Sequence, residues 1–302
     1  MELKQATTIK KTEMTRSRML FNIVAYVILI VTVLLCTVPF LMVISGSFSE
    51  NSRIIREGYS IIPRGFSLDG YRIIFLFPKE IGRAYYVSIM VTALGTLLGL
   101  VITSMAGYAL QSKHLRYRNP IAFFLYFTML FSGGLVPWYM VIINLGMRDT
   151  MAAMIIPMAG NAFYILLTRN FMRNVPESLI ESAKIDGAGE FYIFRKIMIP
   201  LSKPVIATVG LFLALAYWND WFLASLYVRD QTMWPLQYKL YKILSAQSSI
   251  SQAGAENLPI ATIPTEAMKL ANAVVATGPI ILLYPFLQRY FVQGITIGAV
   301  KG

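Results

Sequence analysis

Charge is scarce in this 302-residue chain. Only 14% of its residues are charged, 56% are hydrophobic, and the mean hydropathy is +0.59. Soluble domains carry about 25% charged residues, so the shortfall excludes a water-soluble globule and points to lipid as the main solvent. A single cysteine, Cys36, lies inside an apolar run, which excludes an internal disulfide and a cysteine metal cluster. A single histidine, His114, sits in the basic turn Lys113-His114-Leu115-Arg116-Tyr117-Arg118 with no cysteine or carboxylate beside it. It reads as a solvated loop residue, and neither a metal site nor a Ser-His-Asp or Cys-His centre is expected. No G-x-x-x-x-G-K-[ST] loop is present, so nothing here cradles ATP phosphates. Internal repeats, heptads and low-complexity tracts are also absent. No catalytic residue is expected.

What is present is a series of long apolar runs. Six reach the length of about 20 residues needed to cross a bilayer: 21–48, 84–112, 119–147, 151–172, 204–226 and 270–290. They are continuously apolar rather than alternating, which predicts helices and not a lipid-facing barrel. The first run follows Lys10, Lys11, Arg16 and Arg18, as a secretory signal does. It continues too far without a charge to be one, and it reads as an uncleaved span. The expected fold is an all-α polytopic membrane protein with six transmembrane helices in a single domain over 1–302. Breakers lie inside several runs: Pro39, Gly133-Gly134 with Pro137, Pro157 with Gly160, Pro279 and Pro285. Each proline removes a helical hydrogen bond and invites a kink. Ordinary tolerance of proline in membrane helices and a pathway that opens by bending fit these positions equally.

The net charge of +12 does not suggest nucleic acid, because the basic residues are spread over short segments between the runs. They fit the flanks of membrane spans instead. An even number of spans puts both termini on one face. That face holds sixteen Lys and Arg against eleven on the other, and the bias places both termini in the cytoplasm. The loops 49–83 and 227–269 then lie outside.

Between the fourth and fifth runs lies a polar segment, 174–200, with little to bury on its own side of a membrane. Pro176 suits the first turn of a short helix, and Glu177 sits by its positive end. Leu179, Ile180 and Ala183 give it an apolar side. Gly187 is a natural stop, since glycine takes the left-handed conformation at little cost. Ser182, Ala183 and Ala188 are small enough for a partner backbone to approach. A second helix follows, with Phe191, Phe194 and Met198 expected on one face and Arg195 and Lys196 on another.

Asp220 is the only acid inside a run. Intramembrane charges usually face a bundle interior or a cavity. One arrangement has Asn219 and Asp220 offering hydrogen bonds to a polar solute, with Trp218, Tyr217 or Trp221 presenting a flat apolar face to it. The other has Asp220 capping a helix or pairing with Arg229 at the outer interface, with the tryptophans in an aromatic belt.

The run Asn174-Val175-Pro176-Glu177-Ser178-Leu179-Ile180-Glu181-Ser182-Ala183-Lys184-Ile185-Asp186-Gly187-Ala188, continuing to Ile199-Pro200-Leu201-Ser202-Lys203-Pro204, resembles the "EAA" loop of ATP-binding-cassette importer permeases of the carbohydrate type. Ser182 departs from the alanine usual there but is still small. Phe131-Ser132-Gly133-Gly134-Leu135-Val136-Pro137, Tyr217-Trp218-Asn219-Asp220-Trp221 and the tail Gly294-Ile295-Thr296-Ile297-Gly298-Ala299-Val300-Lys301-Gly302 resemble the maltose-permease relatives that include lipoprotein-fed oligosaccharide importers of bacteria. The resemblance implies a type I importer permease fold in the bacterial cytoplasmic membrane. It implies a second homologous permease, two ATPase subunits and an extracellular or periplasmic solute-binding protein as partners, with an oligosaccharide as cargo. ATP and Mg would belong to the partner ATPase, leaving no cofactor in this chain. Glu181, Ser182, Ala183, Asp186, Gly187, Ala188 and Phe191 would couple to the ATPase. Trp218, Asn219, Asp220 and Trp221 are the candidates for the substrate path. The alternatives are an importer permease for a non-sugar solute, an ion-coupled secondary transporter, and a membrane scaffold.

Overall fold

The computed structural model describes residues 16–252 and 265–281. The end of the sixth expected span, the C-terminal glycine-rich tail and part of the 227–269 loop lie outside the described residues. Within those described, every element is helical apart from one isolated bridge, Ser49 to Phe66. The chain divides into two units. One comprises 16–70 with 265–271, the other 71–252 with 272–281.

In the first unit α1 (Arg16–Ser47) is one continuous helix of 32 residues despite Pro39. At 1.5 Å per residue it spans about 48 Å, more than a hydrocarbon core of about 30 Å. Most of its apolar side chains are exposed, which in water would be costly and in lipid is not. The stretch expected as an outer loop is folded. It contains α2 (Asn51–Glu57), and the Glu50 amide donates to the carbonyls of Arg64 and Gly65. The Asn51 side-chain oxygen caps residues 265–271 by accepting from the amides of Glu266 (2.8 Å) and Ala267 (3.2 Å). The division between units falls within α3 (Asp69–Ile74).

The second unit is built around α4 (Pro78–Gln111), which starts six residues before the apolar run at 84 because Pro78 supplies a favourable first turn. Next come α5 (Arg118–Leu130), α6 (Leu135–Asn144), α7 (Ala152–Ala159) and α8 (Ala162–Met172). The loop elements are α9 (Glu177–Ile185), α10 (Glu190–Ile193), a π turn Phe194–Met198 and α11 (Ile199–Leu201). Then follow α12 (Lys203–Asn219), α13 (Phe222–Tyr227), a 3-10 turn Gln231–Met233 and α14 (Leu236–Gln252). The core joins Val87 and Val91 of α4, Met154 and Ile155 of α7, and Val205, Val209, Leu213 and Tyr217 of α12. Lipid gives two apolar helices no hydrophobic reason to associate, so close backbone approach matters more. Gly95, Gly99 and Gly107 supply it. A β-carbon on them would stand 2.5 Å from the Tyr217 ring, 2.9 Å from Leu213 and 2.9 Å from Thr168 respectively.

Two of the expected spans are bent helix pairs. The third, 119–147, is α5 and α6 meeting at 116° around Phe131–Gly134, where Gly134 has φ +87°. The fourth is α7 and α8 bent by 44° at Gly160 and Asn161, three residues beyond Pro157. The breaks follow breakers seen in the sequence, but at Pro39 and Pro279 the helix runs on, and Pro285 lies outside the described residues. The 82° turn at Ser202 separates Glu190–Leu201 from α12. Because Glu190–Leu201 carries Arg195 and Lys196, it is part of the polar loop, and the fifth apolar run begins with α12. The 227–269 segment holds a helix, α14, that the sequence pattern did not suggest.

Candidate functional site

The polar loop is a short exposed rod on a buried base. Helix α9 ends in a pair of hydrogen bonds that return on themselves. The Gly187 amide donates to the Lys184 carbonyl (3.0 Å) and the Ala188 amide to the Ala183 carbonyl (2.9 Å). This is a Schellman end, and it requires Gly187 to be left-handed, at φ +80°. Pro176 stands just before the helix as its N-cap rather than in its first turn. The base is formed by Met172, Ile193 and Met198, all buried, with Ile180, Ala183 and Ala188 packed against them.

The second half of the loop departs from the expected face. Ile193 and Met198 are buried, and Phe191 is 67% exposed. The cause is the π turn, in which hydrogen bonding runs i to i+5, so that residues five apart come to share a side. Ala183 and Ala188 face the base, so their small size serves internal packing. Glu181, Ser182, Asp186 and Gly187 are exposed, and with them Leu179, Tyr192 and Ile185, the last 85% exposed. Three large apolar residues and Phe191 thus stand open on a charged rod, uncovered by the other described residues.

Polar contacts tie the rod to the bundle. Lys113, in the turn after α4, pairs with Glu177. Tyr108 of α4 donates to one Glu190 oxygen (2.5 Å) and Lys184 to the other (2.7 Å). The Lys184 hydrogen bond, and after it that of Tyr108, holds the Glu190 carboxyl below its ordinary pKa. Each pair is largely exposed and contributes at most about 1 kcal/mol, but together they fix the rod's orientation.

The four residues expected on a substrate path do not converge. Trp218 is 6% exposed, and its indole N–H donates to the Ala276 carbonyl (2.9 Å), bracing residues 272–281. The Asn219 amide donates back to the Leu215 carbonyl (2.9 Å). Asp220 caps α13 by accepting from the Leu223 amide (3.2 Å); the Arg229 amide donates to Asp149 instead. Trp221 is partly open and stacks on Tyr241 of α14 at 4.3 Å. The sequence reading missed a cavity of about 390 Å3 at the break between α7 and α8, lined by Thr128, Asn161, Tyr164, Leu213 and Ala216 among others. Asn161 caps α8 there, accepting from the amides of Phe163 and Tyr164. The signal was the Pro157-x-x-Gly160-Asn161 sequence, a helix stop followed at once by a capping residue. Among the described residues no cluster of side chains suited to a metal ion is present.

Comparison with known proteins places these features in context. The family model described as "Binding-protein-dependent transport system inner membrane component" matches residues 14–297. The polygalacturonan/rhamnogalacturonan transport system permease protein YtcP of Bacillus subtilis is 41% identical, with 94% of this chain and 99% of that one covered. Protein LplC of the same organism is 42% identical over 87% of this chain and 89% of its own. Among solved structures, a bacterial ABC transporter involved in the import of the acidic polysaccharide alginate has a chain that superposes with a TM-score of 0.77 at 31% identity, covering 92% of this chain and 98% of that one.

Proposed function

Because the chain belongs to the family of binding-protein-dependent transport system inner membrane components, we propose that it is one permease subunit of an ATP-driven oligosaccharide importer. Subunits of this family are non-catalytic transport components of the inner membrane. The observation that carries the proposal is that Leu179, Ile185, Phe191 and Tyr192 are exposed on a rod that is otherwise packed and ion-paired to the bundle. A partner that grips Ser182, Asp186 and Gly187 moves α8 and α4 with them through Met172 and Tyr108.

In this reading six spans cross the membrane and both termini are cytoplasmic. The assembly contains a second homologous permease, two ATPase subunits that hold ATP and Mg, and a solute-binding protein that meets the 227–269 segment. Closure of the ATPases must stabilise the outward-open state more than the inward-open one, since only differential contacts shift an equilibrium. The substrate path passes the α7–α8 break. Discontinuous helices line transporter sites because freed backbone groups and polar caps are tolerated there. Thr128, Asn161 and Tyr164 supply polar groups, and Asn219 and Trp221 remain candidates further along. Trp218 and Asp220 hold the frame. An oligosaccharide is supported by the sugars named for the relatives and by the alginate importer.

The test is uptake in vesicles reconstituted with the complete importer and its binding protein. Oligosaccharide accumulation that needs ATP on the ATPase side, and that ion gradients do not replace, is expected. Uptake driven by a proton or sodium gradient without ATP, or ATP-driven uptake of peptides alone, would overturn it.

A further inference from the structure

A cleft of about 540 Å3 lies behind α9, between that helix and the turn that joins α4 to α5. Its lining is charged. Two of its three carboxylates are occupied: Glu177 by Lys113, and Glu190 by Lys184 with Tyr108. Glu181 is the third. The same lining holds two guanidiniums, Arg118 and Arg173, with no ion-pair partner among the described residues, and His114. Arg118 is the first residue of α5 and Arg173 the cap after α8, and these two helices pack on each other. The two forks therefore lie at the same end of the pair, where both apolar helices stop.

We propose that this cleft binds a phosphate-bearing anion, either the headgroup of an anionic phospholipid or a soluble phosphate ester. The site rests on the reading that α9 is a cytoplasmic coupling rod. A guanidinium presents parallel N–H groups that match two oxygens of one phosphate, and it stays charged at any working pH. The two lysines of the cleft are already spent on Glu177 and Glu190, so the arginines are the groups left to act. An anion held by Arg118 and Arg173 bridges the ends of α5 and α8 against the back of the rod, so its occupancy stiffens the link between partner and bundle.

The complete importer, purified with its partner subunits, is reconstituted in nanodiscs of phosphatidylcholine alone or with phosphatidylglycerol added, and retained lipid is counted by native mass spectrometry. Phosphatidylglycerol held on this chain is expected. The double variant Arg118→Gln, Arg173→Gln should weaken retention about 30-fold, since each direct, partly exposed ion pair to the phosphate contributes up to about 1 kcal/mol. Arg116→Gln alters the same turn, but Arg116 lies over the Tyr117 ring at 5.4 Å and is not part of the cleft lining; it should leave retention unchanged. Inorganic phosphate added to the phosphatidylcholine sample identifies the source. If it binds with the same dependence on Arg118 and Arg173 while the lipid does not, the ligand is soluble. Retention of neither, or an equal loss in Arg116→Gln, overturns the site. Assembly with the ATPase is monitored throughout, and Arg118→Lys with Arg173→Lys keeps the charge should the glutamine variant fail to assemble. ATP-dependent uptake is read on the same samples. Transport without anion retention refutes this site alone, and retention without transport refutes the importer reading alone.

Discussion

A methyl group at Gly95 would stand 2.5 Å from the Tyr217 ring, closer than any real contact allows. The ring has little room to retreat, because its hydroxyl donates to the Ile155 carbonyl at 2.7 Å in a buried position. Gly95→Ala should therefore destabilise the folded chain by about 1–3 kcal/mol, the usual cost of overpacking. Releasing the tether with Tyr217→Phe should recover part of that loss, a coupling that a double-mutant cycle in a denaturation series measures. Gly82, also in α4, has no neighbour within 4 Å of the place a methyl would take, and Gly82→Ala should be neutral or slightly stabilising. Equal gains at Gly82 and Gly95 would show that helix propensity and not packing governs α4. This packed face was legible in the sequence and went unread: Gly95, Gly99 and Gly107 are spaced by four and eight residues, with Thr103 in the missing place.

The loop element was legible where a single residue dictates the backbone. Gly187 stops α9 as its conformational freedom suggests, and Pro176 stands at the other end, one place off. The part that was not legible depends on tertiary hydrogen bonding. No local pattern announces the π turn at Phe194–Met198, and it moves Ile193 inward and Phe191 outward. A substitution at Gly187 separates stability from coupling. No atom lies within 4 Å of a β-carbon there, so the cost of Gly187→Ala is backbone strain alone, about 1–2 kcal/mol for an L-residue held left-handed. Asparagine tolerates that conformation better. Hydrogen exchange should show α9 amides opening faster in Gly187→Ala and less so in Gly187→Asn, with the bundle helices unchanged. Substrate-stimulated ATP hydrolysis by the assembled importer should fall in the same order. Gly187→Pro removes the amide that donates to Lys184 as well, and it should uncouple hydrolysis from uptake while the complex still assembles. Normal uptake by an assembled proline variant would end the idea that this rod carries the stroke.

At the scale of the whole molecule the apolar runs announced where the chain enters lipid but not the path it takes inside. Length and composition are sequence properties; bend angles are set by which groups the bundle can satisfy once a break opens. The 116° angle between α5 and α6 is the decisive case, because 13 and 10 residues span only about 20 and 15 Å, each less than a hydrocarbon core of about 30 Å. If the pair crosses once, the turn at Arg116 and the rod at Asp186 lie on the same face, separated by two crossings. If the pair re-enters and returns, only α7 and α8 cross between them, and the two positions lie on opposite faces. The chain has one cysteine, exposed on α1, so Cys36→Ser provides a clean background for site-directed labelling. Cysteines placed at Arg116 and at Asp186 should both resist an impermeant reagent in sealed right-side-out vesicles and react after permeabilisation. One at Lys242, in the segment expected outside, should react at once. Protection of Arg116 with ready labelling of Asp186 would reduce the crossings by one and place the rod outside, out of reach of any ATPase.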